Sequence, residues 1–371
     1  MRQLLNLARV SLAILFIAAC FSNVSFAQAD PDAHGRFFAL PPHSYYPVPP
    51  ASSHLTQWNG SFKDLTGKTI TFTMVGTDPS KTNVTTTLPV VLVPLKLVYG
   101  ASNGNKTFDP MKDKFPNGQT VVQMILGSPL FQSTVDFVQG GTNVGKTQYE
   151  DAFQRANFWG KSVSHNTKYH VLFGKPTVLP EQTIKVTPSQ GKVVINPTSG
   201  SGFVGEFQLS TLDPLLQSYM HKFKQVQPNT LALFITYDIY GINGSVCCYG
   251  GYHSNLGGPP NSQTYSWSTI IDQNARNFAQ DVGALSHELG EWYDNPFFGT
   301  NSVNCHDNSQ LEVGDPIEND ANYGLFPYTV GSFTYHLQSL VFLDYFGAPP
   351  STDLHKWISF QNDKKTVCPG Q

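Results

Sequence analysis

The sequence contains little charge and has no excess of basic residues. Its 371 residues include 23 Lys and Arg and 26 Asp and Glu, which gives a formal net charge of -3 and a charged fraction of 13%. Such a surface has no positive field to attract nucleic acid or anionic lipid, so we exclude nucleic acid as a partner. Hydrophobic residues make up 40% of the chain, enough for a globular protein with a sizeable core.

Long hydrophobic runs are also missing. The only candidate is residues 10–20, which follow two arginines and precede the small-residue junction Ser25-Phe26-Ala27. This run is short for a membrane span, and its flanks predict a signal peptide at residues 1–27 and a secreted or periplasmic protein. Residues 17–20 also resemble a bacterial lipobox, so a lipid anchor at Cys20 is the alternative.

Cysteine is scarce, with four residues beyond the signal segment: Cys247, Cys248, Cys305 and Cys368. An even number in an exported chain predicts disulfides. Adjacent cysteines seldom bond to each other because the resulting eight-membered ring strains the peptide. We therefore expect Cys247 and Cys248 to bond separately to Cys305 and Cys368, in an order left open. A thiolate zinc site is the alternative.

The pattern of apolar and breaker residues predicts an α+β fold. Residues 28–58 are rich in proline and predict an extended lead-in, and residues 59–371 predict a single domain, with 59–205 as an alternative β-rich subdomain. The predicted strands are 69–74, 88–99, 168–173, 192–195, 230–240 and 265–271. The predicted helices are 118–132, 147–159 and 209–224, followed by a long helix that opens at Asn274, with Asp272 or Asn274 as its cap.

The most informative segment is residues 284–296, Ala-Leu-Ser-His-Glu-Leu-Gly-Glu-Trp-Tyr-Asp-Asn-Pro. On a helix, His287 and Glu291 lie one turn apart on the same face, and Glu288 lies beside them. This is the layout of the zincin His-Glu-x-x-His site, with Glu291 in the position of the second histidine. The pattern predicts a metal held by His287 and Glu291, with Glu288 as the general base.

A third donor has to come from outside the helix. Asp315 is favoured because it lies in a Gly-Asp-Pro turn that would fix its backbone. Glu312 is the second choice, and Asp294, seven residues beyond His287, is the third. His253 and His306 are weaker candidates in predicted exposed loops, where a histidine usually faces water.

The carboxylates of such a site limit its chemistry. A His, Glu, Asp set neutralises a divalent ion, which then acidifies its water less than a site with two histidines would. Hydrolysis at neutral pH would be weakened unless a further donor, such as His253, His336 or Tyr335, stabilises the oxyanion. We expect zinc, although an oxygen-rich site also accepts manganese, iron or calcium.

Four sequence blocks resemble the plant phosphate-induced protein 1 family, also called EXORDIUM-like proteins. They are residues 232–240 with 247–253, residues 286–296, residues 312–315 and residues 335–338. The resemblance covers about residues 230–340 and implies a secreted protein with a zincin-type helix, but no agreed reaction. His287, Glu288, Glu291 and Asp315 match directly. This chain departs from the family after Asp315, where Pro-Ile replaces the usual Leu-Cys.

These observations lead to one main functional prediction and two alternatives. The main prediction is a secreted zinc metallohydrolase on a zincin-like mixed sheet, a peptidase in which Glu288 activates metal-bound water to cleave a peptide or extracellular polymer. The first alternative is a non-catalytic extracellular binding or signalling protein. Its many aromatics would bind carbohydrate, although packing in the core is the commoner role of such residues, and the candidates are Trp159, Trp267, Trp292 and Trp357. The second alternative is a purely structural metal.

Overall fold

The computed structural model describes residues 54–160, 162–258, 261–271, 278–305, 309–349 and 356–368. All of these belong to one compact unit that spans residues 32–371. The predicted signal peptide, Cys20 and most of the lead-in lie outside the described residues, as do Asp272, Asn274 and His306. In the described part of the chain, no helix has the length and apolar character needed to cross a membrane.

The described residues form an α+β fold with several sheets. The α-helices are α1 (Val121–Gly127), α2 (Tyr149–Asn157), α3 (Leu209–Lys222) and α4 (Gly283–Asp294). The strands are β1 (Gln57–Lys63), β2 (Thr69–Val75), β3 (Thr85–Leu88), β4 (Val90–Tyr99), β5 (Thr107–Phe108), β6 (Val135–Gln139), β7 (Thr142–Thr147), β8 (His170–Phe173), β9 (Thr177–Val178), β10 (Gln182–Val186), β11 (Gly191–Ile195), β12 (Phe203–Gln208), β13 (Leu231–Tyr237), β14 (Ile239–Asn243), β15 (Val246–Tyr249), β16 (Gly251–Leu256), β17 (Gln263–Ile270), β18 (Leu325–Val330) and β19 (Phe333–Gln338).

The main sheet has the strand order β10-β4-β13-β17-β16, and β5 and β9 also pair with β4. Neighbours along β10, β4, β13 and β17 are parallel, whereas β16 pairs with β17 in the antiparallel sense. All seven residues of β13 are buried, as expected for an apolar strand inside a parallel sheet. Strands β4 and β10 belong to the predicted subdomain 59–205, and β13 follows it in sequence. Because β4 lies between β10 and β13, one sheet joins that segment to the rest of the chain.

The edge strand β16 presents different residues to the two faces of the main sheet. Gly251 lies opposite Ser268 and His253 lies opposite Ser266, so these four residues share one face. That face looks toward α4, because a Cβ on Gly251 would lie 2.8 Å from the Glu288 side chain. The small serines on β17 leave room for α4 to approach the sheet.

The opposite face of the same two strands packs against α3. The hydroxyl groups of Tyr252 and Tyr265 donate to the buried Asp213 carboxylate at 3.0 and 2.6 Å. Polar side chains in this layer are therefore hydrogen-bonded rather than turned to water, which is how a buried polar layer is tolerated. The sheet is covered on both faces, with α3 on one side and α4 on the other.

Helix α4 is buried along its whole length, and it packs against β16, β17, β19, β2 and α2. Its start differs from the prediction, since it begins at Gly283 rather than near 274. Asp281 has a φ of 41°, which a right-handed helix does not allow, so the helix starts after it. Its end at Asp294, two residues before Pro296, agrees with the stop signal in the sequence.

Most predicted strands and helices are present with altered bounds. The apolar stretch 88–99 is interrupted at Pro89, which separates β3 from β4. The stretch 230–240 is interrupted at Asp238, whose φ of 50° separates β13 from β14. Strand β1 begins at Gln57, so the last two residues of the predicted lead-in, 57 and 58, belong to a strand.

The predicted cysteine pairing is wrong. Cys247 bonds to Cys248, and Cys305 bonds to Cys368. The peptide bond between the adjacent cysteines is cis and their two Cα atoms lie 3.0 Å apart, a geometry in which the eight-membered ring closes. All four sulfurs are thus in disulfides, and the thiolate zinc site is also excluded.

The Cys305–Cys368 disulfide should dominate the contribution of the cysteines to stability. It closes a loop between residues 63 apart in sequence, whereas the other disulfide joins neighbours and restricts the unfolded chain far less. We expect the double change Cys305→Ala and Cys368→Ala to lower the free energy of unfolding by about 2–4 kcal/mol. Urea denaturation measures the loss. The matched control, Cys247→Ala with Cys248→Ala, should cost clearly less, and equal losses would contradict the prediction.

Candidate metal centre

Helix α4 supplies the first donors of the candidate site. His287 and Glu291 lie one turn apart, and the distance from His287 Nε2 to Glu291 Oε1 is 3.0 Å. Neither side chain has any exposure to solvent. The helical spacing therefore brings an imidazole nitrogen and a carboxylate oxygen together in the solvent-inaccessible interior, and it matches the shared helix face that the sequence pattern predicted.

The chain segment that follows residue 309 supplies a third donor. The backbone N–H groups of Gly314 and Asp315 donate to Glu291 Oε1, each at 3.2 Å, and so hold this segment against the helix. Asp315 Oδ1 lies 3.6 Å from His287 Nε2, and the Asp315 side chain is 30% exposed. Donor atoms of His287, Glu291 and Asp315 all lie within 4.8 Å of one another, close enough to share one cation.

A glutamine on β19 orients the His287 ring. Gln338 Oε1 contacts His287 Nδ1, and the Gln338 backbone N–H donates to Ser286 Oγ at 2.9 Å. Burial lowers the pKa of His287 to about 4, against the opposing effect of Asp315, so the ring is neutral at pH 7. Because the amide oxygen can only accept, Nδ1 carries the proton and the Nε2 lone pair points at Glu291.

His253 is a second buried imidazole at the site. The prediction of an exposed-loop histidine is wrong, because His253 lies on β16 with no exposed surface. Its Nδ1 lies 3.2 Å from Glu288 Oε2 and 3.6 Å from Glu291 Oε2. Its Nε2 lies 3.2 Å from the Asn295 carbonyl oxygen. Burial, with a smaller effect of His287, lowers the pKa of His253 to about 3, so this ring is also neutral.

Glu312 completes a second group of donors. Its Oε2 lies 3.6 Å from His253 Nε2, and its Oε1 accepts from the Asn295 side-chain amide. Donor atoms of His253, Glu291 and Glu312 lie within 4.8 Å of one another. Glu291 thus belongs to both groups, whereas Asp315 and Glu312, the two preferred third ligands from the sequence, belong to one group each.

The carboxyl groups at the centre are strongly perturbed. Burial raises the pKa of Glu288, Glu291 and Glu312 well above the ordinary value of 4.5, and neighbouring carboxyl groups raise it further. Two imidazole lone pairs face carboxylate oxygens at 3.0 and 3.2 Å, and two acceptors attract each other only if a proton or a cation lies between them. This arrangement suits a cation site.

The remaining predicted donors lie elsewhere. Asp294 is buried against α2, where it accepts from the Gln154 side-chain amide, and it belongs to neither donor group. His336 Nδ1 pairs with Asp281 at 2.6 Å, and Tyr335 donates its hydroxyl hydrogen to the Met124 carbonyl at 3.2 Å. His336 and Tyr335 thus have hydrogen-bond partners outside both donor groups.

The tryptophans named as carbohydrate contacts are part of the protein interior. Trp267 and Trp292 have no exposed surface, and Trp159 and Trp357 are partly buried against the main core. Buried rings cannot stack on a sugar, so Trp267 and Trp292 are packing residues. The carbohydrate-binding alternative loses two of its four candidates.

Two glycines allow the backbone to approach the site closely; the sequence predicted Gly314 as part of the Asp315 turn, but it predicted neither the contact of Gly314 with His287 nor that of Gly251 with Glu288. A Cβ on Gly314 would lie 2.4 Å from His287 Nδ1, and a Cβ on Gly251 would lie 2.8 Å from Glu288 Cγ. Both contacts are shorter than carbon packing permits. Their positions in the predicted turn and at the start of a strand gave no signal, because the contacts depend on the folded arrangement.

We expect Gly314→Ala to displace either the His287 ring or the Asp315 turn. Overpacking of this kind should lower the free energy of unfolding by about 1–3 kcal/mol, and it should weaken metal binding by moving a donor. Chemical denaturation and zinc titration measure the two effects. Gly258→Ala is the control, because a Cβ there meets nothing within 4 Å. An alanine variant that binds zinc as tightly as wild type would contradict the assigned geometry.

The stability of the metal-free protein should fall as the pH rises above 6.5. The pKa values of Glu288, Glu291 and Glu312 are raised in the folded state, so the folded chain binds more protons than the unfolded chain above about pH 4.5. The lowered pKa values of His253 and His287 act in the opposite sense, but only up to the ordinary value of 6.5. Above pH 6.5 the two histidines no longer affect the pH dependence of stability, and the effect of the carboxyl groups is unopposed.

The expected loss is about 1.4 kcal/mol per pH unit for each carboxyl that stays protonated in the folded state. Urea unfolding in the presence of a chelator, from pH 6.5 to 9, measures it. Glu312→Gln should reduce the slope, and saturating zinc should reduce it to the part contributed by buried carboxyl groups outside the cluster, such as Glu150 and Asp294, because the ion replaces the cluster's protons. Equal stability of the chelated protein at both ends of this range would show that the cluster does not hold these protons.

Comparison of the chain with protein-family models, with curated proteins and with solved structures gave no match. The resemblance to the phosphate-induced protein 1 family and to zincins therefore stays a prediction from the sequence blocks.

Proposed function

We propose that the protein is a secreted metal-dependent hydrolase that binds zinc through His287, Glu291 and Asp315, with Glu288 as general base. One observation carries this proposal: a neutral imidazole, oriented by Gln338, aims its Nε2 lone pair at Glu291 Oε1 at 3.0 Å with Asp315 Oδ1 at 3.6 Å. One nitrogen and two carboxylate oxygens from protein match the donor number of catalytic zinc sites.

The neighbouring residues have chemistry that suits hydrolysis. A divalent metal at this point supplies a Lewis acid that polarises the scissile carbonyl and acidifies water. Glu288 is fully buried with a raised pKa, which suits a group that takes a proton from water and returns it to a leaving amine. No hydrogen bond from the described residues reaches its Oε1, so this oxygen is available to accept a proton.

The proposed substrate is a peptide or an extracellular polymer, and its approach is limited to one side. Asp315 is the exposed donor of its group, whereas His287 and Glu291 are enclosed by α4 and its neighbours. A substrate carbonyl would have to enter beside the Asp315 turn. Export fits the two disulfides, which persist in oxidising compartments, and the predicted signal peptide at residues 1–27.

The antiparallel edge strand beside the motif helix supports a zincin-like arrangement for this α+β fold. Strand β16 runs antiparallel to β17, and His253 on it faces the α4 side chains. This likeness is part of the proposal, as is the choice of zinc over manganese, iron or calcium.

The burial of the donors favours a second candidate, in which the metal is structural and the protein is a non-catalytic extracellular binding or signalling protein. His253, His287, Glu288 and Glu291 have no solvent exposure, as is typical of metal sites that stabilise a fold. In that case the ion ties the segment carrying Glu312 and Asp315 to α4.

The test separates metal binding from hydrolysis. We expect wild-type protein to bind zinc and to cleave members of a broad peptide library. Glu291→Gln should weaken zinc binding by at least about tenfold. Glu288→Gln should keep the zinc but lower kcat by about 100-fold to 10,000-fold. Zinc content, by elemental analysis after dialysis, and peptide cleavage are measured on the same samples.

The control variant is Asp136→Asn, which changes an exposed carboxylate on β6 and should alter neither quantity. Zinc binding without cleavage by wild type would favour the structural candidate. Undiminished cleavage by Glu288→Gln would remove the base assignment, and a wild-type chain without zinc affinity would overturn the whole proposal.

A further inference from the structure

We propose that the centre holds two divalent cations, bridged by the Glu291 carboxylate, with a second ion bound between His253, Glu291 and Glu312. This inference rests on the proposed metal site at His287, Glu291 and Asp315 and extends it. The two donor groups share Glu291 and no other residue. A carboxylate that offers one oxygen to each of two ions is a common feature of two-metal sites, where the ions lie about 3.5–4 Å apart.

The two oxygens of Glu291 face two different imidazoles. Oε1 lies 3.0 Å from His287 Nε2, and Oε2 lies 3.6 Å from His253 Nδ1. No N–H group of the described residues donates to Oε2, although the side chain is fully buried, and the Glu291 carboxyl group lies beside that of Glu312. A buried carboxylate oxygen without a hydrogen bond is costly unless a cation compensates it.

The ring of His253 presents a lone pair to this second position. The Asn295 carbonyl oxygen, 3.2 Å from Nε2, can only accept, so Nε2 carries the hydrogen of the neutral ring. Nδ1 then points its lone pair at the oxygens of Glu288 and Glu291, at 3.2 and 3.6 Å. His287 has the same arrangement, because Gln338 accepts a hydrogen bond from its Nδ1 and its Nε2 lone pair faces Glu291.

The backbone carbonyl and the side-chain amide of Asn295 orient two donors of the second group, His253 and Glu312. The Asn295 side-chain amide donates to Glu312 Oε1, and Glu312 Oε2 lies 3.6 Å from the hydrogen-bearing Nε2 of His253. One Glu312 oxygen lies within 4.8 Å of donor atoms of both His253 and Glu291, which brings this carboxyl group to the second position. In metal sites, the carboxylate oxygen or ring nitrogen that does not bind the ion usually makes such a hydrogen bond, which fixes the orientation of the ligand. Asn295, the residue that follows α4, therefore positions both His253 and Glu312.

The charge of the cluster also fits two ions better than one. Four carboxyl groups surround the two neutral imidazoles: Glu288, Glu291, Glu312 and Asp315. One divalent ion would neutralise two of four carboxylates, whereas two ions would neutralise all four. No lysine or arginine among the described residues forms an ion pair with Glu288 or Glu291, and Glu318 nearby adds further negative charge.

Zinc stoichiometry of matched isosteric variants tests the proposal. Full-length mature protein is stripped with a chelator, titrated with Zn²⁺ alone and analysed by equilibrium dialysis. We expect two ions per wild-type chain. Glu312→Gln should bind one ion, with the second weakened by about tenfold or more, and Asp315→Asn should likewise keep one ion, at the other position. Glu291→Gln should weaken both.

A measurement on the wild-type chain avoids any dependence on the folding of variants. Loaded with Mn²⁺, the protein should show the electron paramagnetic resonance signal of a spin-coupled pair, and anomalous scattering from Zn²⁺-loaded crystals should show two peaks about 3.5–4 Å apart. Exchange coupling between the two Mn²⁺ ions requires a shared bridging ligand, and the peak separation requires the two positions to be adjacent.

The outcomes distinguish this inference from the proposed function. One ion per wild-type chain, lost in Asp315→Asn and kept in Glu312→Gln, would overturn the second position and leave the first intact. Two ions that survive Glu312→Gln and show no magnetic coupling would also overturn it, because the second ion would lie elsewhere. A wild-type chain that binds no ion would overturn both proposals.

Discussion

The structure depends on one constraint, the burial of Glu291 between two neutral imidazoles. A carboxyl group without solvent, flanked by further carboxyl groups, is unstable in its charged form unless protons or cations surround it. The fold accommodates this group with backbone donors from Gly314 and Asp315, and with rings whose outer nitrogens are already hydrogen-bonded to Gln338 and Asn295. The surroundings of Glu291 are thus arranged for a positive charge rather than for packing alone.

The main sheet explains why such a group can exist in the interior. Strand β13 and its parallel neighbours form an apolar platform, and small residues on β17 let α4 lie close to it. Helix α4 is buried on every side, so any polar side chain on it must find its partners within the protein. The glutamates of α4 find them on β16 and in the segment after residue 309, whereas His287 and Ser286 find theirs on β19.

The sequence predicted the parts of this centre that depend on local spacing. His287 and Glu291 follow from helical periodicity, and the turn around Asp315 follows from Gly314 and Pro316. The sequence predicts His253 in an exposed loop, where a lone histidine usually faces water, and no short pattern links it to His287, 34 residues later. Antiparallel pairing of β16 with β17 brings it there, and such pairing is not encoded in local spacing. The same holds for Gln338, which arrives at His287 from a hairpin.

The burial of the donors decides how a metal could be exchanged or a substrate admitted. His287 and Glu291 lie under α4 and the sheet, elements with extensive packing that do not open at low cost. The Asp315 turn is held to Glu291 by two backbone hydrogen bonds of 3.2 Å and is already partly exposed. Movement of that turn would open the side of the centre next to His287 while His253 and Glu312 stay enclosed. In a two-ion centre, the ion beside Asp315 would therefore face the substrate, and the ion beside Glu312 would hold the bridging carboxylate in position.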